Sequence, residues 1–295
     1  MTAPLSAPRL LCDAQALCGE SPAWDMATQR LWWVDIAAHR LHRRHPETGL
    51  WEIWQMPELI SAVVCTSCSA RPLVALKSGL FRFCAETGAL TFLHSPEPGL
   101  AGNRLNDCTT DPAGRLLAGT MSEGAKAATG ALYLYGQSGP RRLHGGLTVA
   151  NGIAHAPDGA RLYVVDSAAG VILKLAYDAP TGMASAPQVL AQYAPEQGKP
   201  DGLCVDAEGA IWVAFWDGAR VERLAPDGAV LARYPLPVKR PTSLCFGGPD
   251  LQTLFITSAR IGLETAGPDG GLFYLKAPAP GLPVTSANWP LSPLA

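Results

Sequence analysis

Residues 151–166 read NGIAHAPDGARLYVVD. A polar residue leads, a short apolar run follows, PDG marks a tight turn, and RLYVVD has the composition of a strand. The same order recurs on either side: NDCTTDPAGRLLAGT at 106–120, AVVCTSCSARPLVALK at 62–77 and GESPAWDMATQRLWWVD at 19–35, then DGLCVDAEGAIWVAF at 201–215 and SLCFGGPDLQTLFIT at 243–257. The lead positions are Glu20, Ala62, Asn106, Asn151, Asp201 and Ser243; first to last they span 223 residues in five steps, a period of about 45. Short strands and turns repeating at that length predict an all-β chain folded as a six-bladed β-propeller. Because each blade's first strand starts at the central channel, the six lead residues should converge on one axis.

The rest of the chain fits four antiparallel strands per blade. Second strands (RLWWVD, PLVALK, RLLAGT, RLYVVD, AIWVAF, TLFITS) are followed by third strands in HRLHRRH, GLFRFC, GALYLYG, GVILKLAY, ARVERLA and GGLFYLK. Outer strands are legible in LWEIWQ, ALTFLH, SAPQVLAQY and AVLARYPLP. The last blade would be left with an open edge, so RLLCD at 9–13 is expected to close the ring beside 270–275. Residues 1–295 are read as one propeller domain, with the Pro-rich tail after about 278 a surface strap or disordered.

Composition excludes several classes. The chain has 23 basic against 25 acidic residues, so nothing marks a nucleic-acid or anionic-membrane partner. No apolar run is long enough to span a bilayer, and the start MTAPLSAPRLLCDAQAL offers no basic segment followed by a continuous apolar one. A cytoplasmic, monomeric protein with eight free thiols is expected. Cys65 and Cys68 form a C-x-x-C, but without a second such pair they read as core packing. His39, His42 and His45 alternate along a strand and read as solvent-facing.

The lead residues carry the chemistry. Two carboxylates and two amides are costly to bury in a channel unless something pairs with them. A hard divalent cation does so through oxygen ligands; the alternative is that Asn151-Gly152 and Asp201-Gly202 are ordinary turn dipeptides serving backbone groups. Arg104, two residues before Asn106, would flank the mouth as a bidentate donor. Glu123, just past a blade strand in GTMSEG, could reach the same opening. No G-x-S-x-G, Walker A, G-x-G-x-x-G or H-E-x-x-H pattern occurs, and Ser21 has no histidine at an equivalent repeat position.

Five ordered segments together, GESPAWD (19–25), NRLNDCTTDPAGRLLAGTM (103–121), VANGIAHAPDGARLYVVDS (149–167), KPDGLCVDAEGAIWVAFWDG (199–218) and PTSLCFGGPDLQTLFITSAR (241–260), resemble the senescence-marker protein/regucalcin/gluconolactonase family, its bacterial sugar lactonases in particular. The resemblance implies a lactonase that opens a pentono- or hexonolactone to its aldonic acid. It implies one divalent metal held by Glu20, Asn151 and Asp201, with Arg104, Asn106 and Glu123 contacting substrate. In GTMSEG the carboxylate stands one position earlier than in the animal pattern of paired acids, and Gly124 fills the other place. All-oxygen ligation favours Ca²⁺, while Zn²⁺, Mn²⁺, Mg²⁺ and Fe²⁺ also accept such ligands. In that reading the cation polarises the lactone carbonyl and Asp201 doubles as general base. Two alternatives keep the same scaffold: a non-catalytic divalent-metal-binding regulatory propeller, and a phosphotriester or aryl-ester hydrolase.

Overall fold

The computed structural model describes residues 7–136, 139–264 and 267–288. Six small antiparallel sheets follow one another along the chain. Their innermost strands, Gly19–Asp25, Ile60–Val64, Asn103–Thr110, Ala150–His155, Lys199–Val205 and Pro241–Gly247, each pack against the next around a central axis, and the last returns to the first. This is the six-bladed propeller that the 45-residue period predicts. Helix among the described residues is limited to two single 3₁₀ turns, Glu123–Ala125 and Pro195–Gln197. None is long and apolar enough to cross a membrane.

The hairpin inside each repeat is built by its turn residues. Asp111 Oδ1 accepts the backbone N–H groups of Ala113 and Arg115 at 2.9 and 2.8 Å, and Asp206 Oδ1 those of Glu208 and Ala210 at 3.0 and 2.9 Å. The glycines that follow, Gly114 and Gly209, take the left-handed conformation these turns need (φ +78° and +84°). Alternation then sends the apolar side chains of each strand to the blade's two faces. The core is therefore not central: it is six layers, each shared by two neighbouring blades. Trp32, Trp33, Trp212 and Phe215 lie fully buried in these layers. Large aromatic faces suit this packing because each buries much apolar area on one stiff side chain.

Arg9–Cys12 pairs antiparallel with Leu272–Lys276, setting Arg9 opposite Tyr274 and Leu10 opposite Phe273. The ring closes as expected. One outer strand is not legible in sequence: Gly139–Leu147 (GPRRLHGGL) completes blade three, although its glycines, proline and basic residues mask any alternation. The C-terminal segment crosses the channel at the far ends of the innermost strands. Thr285 accepts from Thr110 Oγ1 at 2.5 Å, Ala287 N–H donates to Cys65 O at 2.9 Å, and Asn288 N–H to Gly114 O at 2.9 Å. Residues 289–295 of the tail lie outside the described residues.

Two expectations are corrected. His42 is not solvent-facing: it is buried, stacked on Trp33 at 4.8 Å, and accepts from Trp51 Nε1 at 3.2 Å. Its strand is the third in the blade, so alternate residues point into the two inter-blade layers and not to water. Burial lowers its pKa to about 4. The Cys65/Cys68 pair is also split. The strand ends at Val64, so Cys68 falls in an exposed turn while Cys65 faces the channel. All eight cysteines are free.

Candidate active site

Every innermost strand breaks its ladder at the same place. Register shifts lie between Glu20 and Ala23, Ile60 and Ala62, Leu105 and Cys108, Asn151 and Ile153, Pro200 and Leu203, and Pro241 and Leu244. A β-bulge re-aims the side chains beside it, and these six sit at or next to the lead positions. Asn151-Gly152 and Asp201-Gly202 are therefore bulges inside strands, not turn dipeptides. Their glycines are required by space. Gly152 has φ +38°, and a Cβ there would lie 2.5 Å from Asp201 O; a Cβ on Gly202 would lie 2.1 Å from Ser243 Oγ.

Glu20, Asn106, Asn151 and Asp201 are all buried, between 4% and 7% exposed. Asn151 Nδ2 donates to Asp201 Oδ1, and also to Ser167 Oγ at 3.3 Å. Glu20 Oε2 accepts the Ser21 N–H at 2.9 Å. Arg104 Nη1 donates to Asn106 Oδ1 at 2.8 Å and to Leu105 O at 2.9 Å, while Asn106 Nδ2 donates to Ala150 O at 3.0 Å. That chain fixes the guanidinium against the channel wall.

The charges of the group act on one another. Burial pushes the Glu20 carboxyl well above its ordinary range, and the charges of Asp201 and Asp107 push it further; the Ser21 N–H and Arg104 oppose them. Asp201 is likewise raised by burial and then by Asp107, against the hydrogen bonds from Asn151 and Ser167 and the charge of Lys199. Asp107 itself is raised to about 6 by burial, despite backbone hydrogen bonds from Cys108, Ile153 and Gly152. Asp107 is half-buried and lines the channel cavity. Sequence reasoning missed Asp107. Its only signal was a carboxylate directly after the lead Asn106, where the bulge leaves both residues outside the ladder.

The donor set has the oxygen chemistry that a hard divalent cation takes. Among the described residues no three His, Cys, Asp or Glu side chains gather closely enough to hold an ion by themselves, so a three-residue set needs the Asn151 amide beside the Glu20 and Asp201 carboxylates. All three would offer oxygen. A cation there would relieve the mutual repulsion and burial that raise both acids.

Glu123 lies farther out. It is 40% exposed and paired with Lys77 Nζ at 2.8 Å, although the charge of Arg104 still reaches it. Ser21 has no catalytic geometry: its Oγ accepts from Val63 N–H at 3.0 Å and links blades one and two.

Comparison with known proteins places the chain in one family. The family model of the SMP-30/Gluconolactonase/LRE-like region matches residues 18–260. A 6-deoxy-6-sulfogluconolactonase of Pseudomonas putida is 36% identical over 83% of this chain and 84% of its own. A pentonolactonase of Haloferax volcanii is 33% identical over 92% and 94%. The crystal structure of a calcium-binding protein, regucalcin, from Agrobacterium tumefaciens superposes with a TM-score of 0.91 at 34% identity, covering 96% of this chain and 98% of that one.

Proposed function

Since this chain belongs to the SMP-30/gluconolactonase/LRE-like family, we propose that it is a divalent-metal-dependent lactonase that hydrolyses pentono- or hexonolactones to aldonic acids. The observation that carries the reading is the convergence of Glu20, Asn151 and Asp201 on bulged strand ends beside the Arg104–Asn106 pair. Relatives named for sugar-lactone hydrolysis support the substrate class.

A bound cation would supply a Lewis acid for the lactone carbonyl. Glu20, Asn151 and Asp201 would hold it, with Ca²⁺ the best match to oxygen donors and Zn²⁺, Mn²⁺, Mg²⁺ or Fe²⁺ also acceptable. Arg104 and Asn106 orient the sugar hydroxyls and ring oxygen through donors already fixed in place. An Asp201 carboxylate oxygen takes the proton of the attacking water as its oxygen bonds to the carbonyl carbon. The ring C–O bond then breaks and the ring oxygen leaves as the new hydroxyl, taking up that proton. Glu123 would touch substrate only by giving up Lys77. The burial of the acids keeps bulk water from competing for these donors.

The test is acid release in weakly buffered indicator solution, with aldonolactones and an aryl ester, before and after chelation. Hydrolysis of an aldonolactone that stops on chelation and returns with a divalent cation is expected. Failure to open any aldonolactone would leave the calcium-binding, non-catalytic reading, which the name of the Agrobacterium structure favours. Faster hydrolysis of the aryl ester would favour the third reading.

A further inference from the structure

Beside the acid cluster, between blades four and five, lies a second cleft of about 310 Å³. One wall is the turn Ser167–Gly170, which follows the strand Arg161–Asp166; the other is formed by residues 192–195 with Gly198 and Lys199. Both walls lead to the candidate site. Ser167 Oγ accepts from Asn151 Nδ2 at 3.3 Å, and Lys199 stands two residues before Asp201, close enough for its charge to act on that carboxyl.

The chemistry of the lining is one-sided. It contains an ammonium and an amide (Lys199, Gln192) and no carboxylate, while the Ser167 hydroxyl is turned to Asp201 and Asn151. Tyr193 also lines it, but its hydroxyl is spent on Glu222 at 3.1 Å. Lys199 is exposed, and its ammonium makes no hydrogen bond or ion pair with any described residue. Three other cations near this mouth are held by partners that Lys199 lacks: Lys77 by Glu123 at 2.8 Å, Arg104 by Asn106 at 2.8 Å and Arg240 by Asp217 at 2.7 Å. An ammonium with no hydrogen bond or ion pair, in a cleft whose lining holds no carboxylate and which adjoins the buried Asp201, is a place for an anion that arrives with the substrate.

We propose that this cleft is a subsite for an anionic substituent of the lactone, a carboxylate, sulfonate or phosphate monoester at the end of the sugar remote from the reacting carbonyl, and that Lys199 selects for it. The proposal rests on the lactonase reading above. It makes the enzyme one that discriminates by charge at the far end of the sugar, with the reacting end held by Arg104 and Asn106. Binding energy from a remote ion pair is of the kind that positions a substrate without touching the bond that breaks.

The experiment compares wild type with Lys199→Gln and Lys199→Arg on gluconolactone, on a glucarolactone carrying a terminal carboxylate, and on 6-phosphogluconolactone. The ratio of kcat/KM for an anionic over the neutral lactone is expected to fall about fivefold in Lys199→Gln, the scale of an exposed ion pair. Lys199→Arg should restore it, and added salt should erode the wild-type ratio. The two anionic substrates distinguish a carboxylate from a phosphate subsite. An equal loss on neutral and anionic lactones would make Lys199 only a counter-charge for the acids and overturn the subsite, as would an unchanged ratio. Calorimetric titration with gluconate and 6-phosphogluconate separates this result from failure of the lactonase reading. Even if no lactone is opened, tighter binding of 6-phosphogluconate that Lys199→Gln removes upholds the subsite, and equal binding of the two overturns it.

Discussion

The same six strands present opposite chemistry at their two ends. At the bulged end they aim Glu20, Asn106, Asn151 and Asp201 at the axis. One to three residues beyond the lead positions they present Cys65, Cys108, Cys204 and Cys245, with Ile153, Leu203 and Leu244, to a cavity of about 430 Å³. That cavity is covered by residues 282–286 of the C-terminal segment. Burial raises the Cys65 thiol to about 12 and carries the Cys204 and Cys245 thiols upward as well. These thiols stay neutral and behave as small apolar groups. One end of the channel thus gathers carboxylates that burial opposes, whereas the cavity at the other sets neutral thiols and aliphatic side chains beside a few carboxylates, Asp107 among them. The contrast teaches that a propeller can keep a strained polar site because the strands carrying it are anchored by apolar contacts a turn away.

The largest expected effect removes the contrast altogether. Deleting residues 1–15 strips the closing strand Arg9–Cys12 from the last blade and leaves an open edge. Both ends should fail together, with a stability loss exceeding about 4 kcal/mol, the upper range of single substitutions. Melting that matches the full chain would show that the ring does not depend on this strand.

A second effect belongs to the apolar end alone. His155 lines the cavity, packs on Tyr177 at 4.7 Å, and leaves Nε2 buried without a hydrogen bond. Burial lowers its pKa from 6.5 to about 4. The folded state therefore favours neutral imidazole, so the stability is fully present above about pH 6.5 and is lost as pH falls towards 4. The loss should reach about 3 kcal/mol at most. Denaturant titrations of wild type and His155→Phe should diverge across that window, with the variant the more stable at pH 5. Parallel curves would place the acid sensitivity elsewhere.

The third effect belongs to the charged end. Asp201→Asn should cost at least about a hundredfold in kcat, the scale of a general base. In metal-free protein its melting temperature should be unchanged or higher, because a buried charge is removed. Wild type should also be stabilised by Ca²⁺, by about 2.7 kcal/mol at a hundredfold excess over Kd, and the variant less so. Normal turnover with metal bound would take the proton-accepting role away from Asp201. Stabilisation by Ca²⁺ that is equal in both proteins would take Asp201 out of the cation site.

The smallest effect sharpens the comparison. Removing residues after 278 should open the lower cavity and make Cys65, Cys108, Cys204 and Cys245 reactive to a maleimide, with lactone hydrolysis little changed. A large loss of activity would mean that the two ends are coupled.

Much of this was legible because repeats constrain one another. The period, the turn chemistry of Asp111 and Asp206, and the closing strand are local patterns seen several times over. So were the lead residues, since a polar group at a fixed place in most blades stands out against Ala62. Asp107 was hidden because it occupies one blade only and departs from the repeat. His42 was misread because a polar residue on an alternating strand looks solvent-facing until both faces of the strand are known to be covered. The outer strand Gly139–Leu147 was invisible because its pairing partner, not its own composition, makes it a strand.

By itself, then, the sequence determined the blade count, the order of strands and the identity of the residues at each channel entrance, because these depend on periodicity and turn propensity within some 45 residues. Tertiary structure alone decided that the NG and DG dipeptides are bulges, that Glu123 is held by Lys77, that Lys199 stands free beside Asp201, and that the tail covers the opposite mouth. Each of these depends on where strands and loops meet in three dimensions, within a blade or between blades. Such placements are set by how strands pair and how six sheets pack, and no local pattern encodes them.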